Sequence, residues 1–180
     1  MSGFDFAFTL FGLLLGLSLT EVFGGFARAL RARQRVRIGW LCPLLALVMT
    51  VDLVSHWIAA WDDRDAIAVT FPTLLFGAAI AGLYYMAAAL VFPDDIDEWN
   101  DLDSYFFTQK IWVVLAILVS NSLFVAGEMV LHDHVFGIFD ALIVAVWIGS
   151  GLALILARPR WLNLVLLLWY LQLYWLVHLI

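Results

Sequence analysis

The sequence holds one cysteine, Cys42, in 180 residues, so it can form no internal disulfide and no multi-cysteine metal site. Charge is scarce as well: charged side chains make up 13% of the chain, against about 25% in a typical soluble domain. With 65% hydrophobic residues and a mean hydropathy of +1.00, too little polar surface remains to cover a globule in water. That excludes an ordinary soluble domain, and no nucleic-acid partner is expected. No low-complexity run, soluble domain or convincing internal repeat is visible. The first apolar stretch lacks a basic leader and, at about 26 residues, exceeds the apolar core of a signal peptide. It is expected to stay in the mature protein. No arginine or lysine is predicted inside an apolar window; each falls at an end.

What the chain has in quantity is apolar windows near 20 residues, the length needed to cross about 30 Å of hydrocarbon. Six occur, at 4–29, 38–61, 71–92, 109–131, 136–157 and 161–180. Their short linkers make consecutive helices antiparallel neighbours. The expected fold is an all-α integral membrane protein, a single six-transmembrane-helix bundle multi-pass in the plasma (inner) membrane. With six spans, loops 1, 3 and 5 share one side and carry eight of the nine basic residues, while the other side has only Arg64. The positive-inside rule then puts both termini on the non-cytoplasmic side. Trp40, Trp61, Trp99, Trp112 and Trp161 fall near predicted helix ends, as interfacial aromatics do.

The first helix sets this pattern. Gly12, Gly16, Thr20 and Gly24 recur every four residues as a small-residue stripe that permits close packing, within one chain or between copies in a homo-oligomer. Gly77, Ala78, Ala81 and Gly82 offer the same on the third helix. Arg28, Arg31, Arg33, Arg35 and Arg37 follow the first span and suit anionic lipid headgroups of the bilayer. Loop 3 is acidic instead: Asp94, Asp95, Asp97 and Glu98, with Asp101 and Asp103, place six carboxylates in ten residues. Ile96, Trp99, Leu102 and Phe106 are spaced for a short amphipathic interfacial helix. Its acidic face is read as solvated, with pairing to the arginine loop as the sharper option. It lacks the glycine and spacing of a calcium loop.

Ionisable groups inside spans are rare because insertion costs them about 2.5–3.5 kcal/mol at the bilayer centre. Here they are Glu21, Asp52, His56, Glu128, Asp140 and His178. Glu21 stands roughly 12 Å from the arginine end of its helix at 1.5 Å per residue, and Asp52 lies near mid-membrane. A chain of acids and histidines offers intermediate sites for a proton or small cation. The bland reading of Glu21 is a protonated acid held by Ser18, Thr20 or a carbonyl. Asp52 and His56, at i and i+4, share one helix face and suit a carboxylate orienting an imidazole; a structural hydrogen bond explains them equally. Asn121 and Glu128 share a face of the fourth helix, and Tyr170, Tyr174 and His178 form a polar stripe on the sixth.

The expected function is therefore a small channel or transporter for protons or small cations, not an enzyme, with Glu21, Asp52, His56, Glu128 and Asp140 as ion-binding candidates. A scaffold or sensor subunit docking a partner through its charged cytoplasmic loops is the rival. A third reading places haem between His56 and His178, or a divalent metal at His132, Asp133 and His134 with His56. No cofactor is expected otherwise, and no serine or cysteine stands at a visible spacing from a histidine base.

Overall fold

The computed structural model describes residues 3–131 and 137–179, the side chains of 177–179 excepted. Six helices follow one another: α1 Gly3–Ala32, α2 Leu41–Asp62, α3 Phe71–Ala89, α4 Leu102–Leu131, α5 Ile138–Leu156 and α6 Arg160–Leu179. A single 3-10 turn, Ile96–Glu98, stands before α4, and no strand occurs among the described residues. Helices α1 to α5 are each long and apolar enough to cross a membrane. The chain is an all-helical, multi-pass membrane protein. Helix α6 is of similar length, and its apolar sequence includes the polar Asn163 and Gln172.

Helix ends are set by particular side chains. Thr70 caps α3, its hydroxyl accepting the Thr73 N–H at 3.4 Å, and Pro72 occupies the first turn, where a missing N–H does no harm. Gly39 adopts φ +66°, which turns the chain into α2 later than the apolar window suggests. Asp103, 62 residues away, then accepts the Trp40 and Leu41 N–H groups at 3.2 and 3.1 Å.

The expected amphipathic helix of loop 3 is not one element. Asp101 accepts the Asp103 N–H and the Ser104 hydroxyl, at 3.2 and 3.0 Å, and so starts α4 at Leu102, well before residue 109. Ile96, Leu102 and Phe106 are buried in the protein instead of lying in an interface. Loops 1 and 3 do meet, but chiefly through backbone. The Arg37 N–H donates to Asn100 O at 3.3 Å, and the Leu102 N–H to Arg37 O at 3.0 Å. Arg35 and Asp97 pair at 3.3 Å with both side chains more than half exposed, a contact worth about 0–1 kcal/mol. Arg160, at the start of α6, closes the same end by donating to Asp101 Oδ2 at 2.6 Å.

Helix α1 packs most extensively on α3, α3 on α4, and α2 on α6 and α1. The buried seam of α1 runs Gly12, Leu15, Ser18, Val22, Gly25, Ala29 and Ala32. Of the small-residue stripe only Gly12 is buried; a Cβ added at Gly16 would meet nothing within 4 Å, and Thr20 is exposed. The close approach falls at Gly25, where an added Cβ would lie 2.7 Å from the Phe92 ring. Helix α2 is the most deeply buried of the five, and it carries Asp52 and His56 into the interior.

Candidate functional site

Midway along α2, Asp52 is fully buried and His56 nearly so. In hydrocarbon or packed protein each carboxylate oxygen must find donors within the bundle, and the neighbouring helices α3 and α4 supply them. Tyr84 of α3 donates its hydroxyl to Asp52 Oδ2 at 2.7 Å. Asn121 of α4 donates from Nδ2 towards Oδ2 and Oδ1, at 3.1 and 3.2 Å, and lies 2.8 Å from the Tyr84 oxygen. Tyr174 of α6 is close enough to interact electrostatically with the same carboxylate.

His56 completes the cluster. Its Nδ1 lies 3.0 Å from the Asp52 carbonyl oxygen, which can only accept, so Nδ1 carries the hydrogen in the neutral ring. The Tyr84 hydroxyl lies 3.3 Å from both Nδ1 and Nε2. The ring is held edge-on between Tyr84 and Phe124, with centroids 5.0 and 4.7 Å away. Asp52 Oδ1 is 3.5 Å from Nδ1. With Asp52 ionised and His56 neutral the cluster would carry one formal negative charge, and among the described residues His56 is the sole ion-pair partner of Asp52. A proton on the imidazole, or a cation from outside, removes that imbalance.

A partly open cavity of about 900 Å³ stands over this cluster, walled by α2, α4, α5 and α6. Asp52, His56 and Asn121 contribute to it from the middle of the bundle, and Asp62 from the last turn of α2. Those two carboxylates are separated by roughly 15 Å of helix rise. The rest of the lining is overwhelmingly apolar, with Trp147, Trp169 and Phe124 among it.

The other expected site residues lie elsewhere. Ser18 and Thr20 return their hydroxyls to Leu14 O and Gly16 O of their own helix, and Glu21 instead accepts a long hydrogen bond from Tyr85 at 3.5 Å. Tyr84 and Tyr85 are adjacent on α3, about 100° apart around the axis, so α3 separates Glu21 from Asp52. Glu128 borders a smaller apolar recess among α1, α3 and α4. Asp140 caps α5, its Oδ2 accepting the Gly137 N–H at 3.0 Å. Arg28 is half-buried on α1; Arg31 and Arg33 are exposed, as are Asp94, Asp95, Asp97 and Glu98. His132, Asp133 and His134, and the His178 side chain, lie outside the described residues. Among those described, no three His, Cys, Asp or Glu side chains gather as metal ligands.

Two features escaped the sequence reading. Tyr84 carries no local signal, being one tyrosine of a pair in an apolar helix. Lys110 was expected at a helix end, yet it is buried within α4. Its ammonium donates to Leu154 O and Asn163 Oδ1, both at 3.0 Å, and to Ala157 O. The Leu154 and Ala157 carbonyls terminate α5, where the helix dipole favours a cation. That it is the one lysine of the chain was the available clue.

No protein-family model matches the chain, and comparison with curated proteins and with solved structures gives no significant match.

Proposed function

We propose that the chain is a small membrane channel or transporter in which Asp52, with His56 beside it, receives a proton or small cation through the cavity. The observation that carries this reading is a fully buried carboxylate in contact with a cavity and with hydrogen-bond donors but no lysine or arginine as partner. A group so placed is costly to keep for packing alone, since an unpaired charge in the membrane interior is far more expensive than an apolar side chain. The Tyr84 hydroxyl stands between Asp52 Oδ2 and the His56 ring, 3.3 Å from each ring nitrogen, and so offers a relay for a proton between the two side chains.

In this reading all six helices span, both termini face away from the cytoplasm, and the membrane is the plasma (inner) membrane. The arginine end meets anionic headgroups, and copies of the chain associate as a homo-oligomer. Glu21 takes no part in the path, because α3 stands between it and Asp52.

The test is flux in proteoliposomes under imposed proton, sodium and potassium gradients. Asp52→Asn keeps the shape of the cluster and removes its charge, and is expected to lower flux at least tenfold. Glu21→Gln is expected to leave it within twofold of wild type. No flux of any of these ions through folded, reconstituted protein defeats the reading.

A further inference from the structure

The chemistry of the cavity is more specific than a path for a bare ion requires. We infer that it binds an amphipathic organic cation, a protonated amine or quaternary onium group on an apolar body, with Asp52 as counter-ion. This rests on the reading of Asp52 as the group that receives positive charge, and it names the class of molecule that brings the charge.

Size is the first argument. About 900 Å³ lies within the range of roughly 300–1,000 Å³ typical of sites for drug-sized ligands, and far exceeds what a dehydrated ion occupies. Lining is the second. A route for hydrated ions needs polar groups along its length to replace lost water, whereas most of this wall is apolar, with Ser55, His56, Asn121, Ser122 and Tyr174 as its polar side chains besides the two acids. Sign is the third. The lining includes the carboxylates of Asp52 and Asp62 and no lysine or arginine, so anions are disfavoured and cations favoured. The aromatic rings supply a fourth. Trp147 and Trp169 line the same space, and indole faces attract organic cations. A neutral lipid tail would use the apolar wall but leave the buried carboxylate uncompensated.

The distinguishing experiment uses two ions of the same shape and opposite sign, tetraphenylphosphonium and tetraphenylborate. Binding of each is measured by equilibrium dialysis against protein in nanodiscs, with empty nanodiscs subtracted. Saturable tetraphenylphosphonium binding is expected, at least tenfold tighter than tetraphenylborate. Asp52→Asn is expected to weaken it at least tenfold. Should Asp52→Asn misfold, Ala126→Trp, which fills the cavity from α4 without touching the cluster, is expected to abolish binding. Equal binding of the two ions, binding unaltered by either substitution, or no saturable binding overturns the inference; the first outcome would mark a slot for an acyl chain. The flux assay separates this result from the wider reading. Asp52-dependent flux without tetraphenylphosphonium binding sinks the organic-cation assignment and leaves the ion path. Charge-selective binding without flux does the reverse.

Discussion

Asp103 shows how much of this fold depends on single contacts made far along the chain. It supplies the start of α2, whose first N–H groups would otherwise be orphaned at the edge of the protein core. Gly39 makes that cap possible twice over: its positive φ suits only a residue without a Cβ, and an added Cβ would collide with the Asp103 carboxylate. Asp103→Ala should destabilise the protein by about 1 kcal/mol, a usual cost for a lost N-cap. Gly39→Ala should cost more, because about 1–2 kcal/mol of left-handed strain adds to a displaced cap. The double variant should fall short of the sum, since both changes act through one carboxylate. Thermal unfolding of the three variants in detergent measures all of this. Full additivity would mean that the two residues act independently.

At the scale of elements, the start of α4 explains why the apolar window misplaced it. Hydropathy begins the span at residue 109, after Asp101 and Asp103 and with Lys110 at its edge, as though charge ended the helix. Each of those charges instead has a dedicated partner: Asp101 caps and meets Arg160, Asp103 caps α2, and Lys110 holds the end of α5. Composition cannot see a partner that arrives from another helix. The same blindness shifted the α1 seam, where the four-residue stripe was visible and the buried face depended on where α3 lay. Burial pushes the Asp101 carboxyl up, but hydrogen bonds from Ser104 and the Asp103 N–H, with the Arg160 guanidinium, outweigh it and hold the group below the ordinary carboxylate range. A carboxylate lowered by folding stabilises the folded state fully above its unfolded value of about 3.9 and loses that contribution as pH falls through the lower folded value. The stability gap between wild type and Asp101→Asn should accordingly hold steady from pH 7 to about pH 5, then close in stronger acid. A gap that stays constant to low pH would show that the hydrogen-bond pattern matters and the charge does not.

For the whole molecule, the broad plan was readable because lipid imposes it: apolar length, short linkers and arginines gathered at one end. Of the cluster, Asp52 and His56 were legible from their spacing on one helix, while Tyr84 and Asn121 joined them only through the packing of α3 and α4 on α2. Sidedness is open to a direct check, because Cys42 is buried and its thiol is turned to Leu102 O. In intact cells a membrane-impermeant maleimide should leave wild type unmarked and label Asp65→Cys at once. It should label Arg33→Cys only after permeabilisation, and the opposite order would invert the bundle. The lone lysine carries a consequence of its own. Its ammonium is enclosed by three oxygens inside the protein, so no lysine side chain is presented to the surroundings. Amine-directed crosslinkers, acylating enzymes and ubiquitin-type tagging therefore find no lysine to attack while the bundle is intact, and modification of Lys110 reports that α5 has come away from α4.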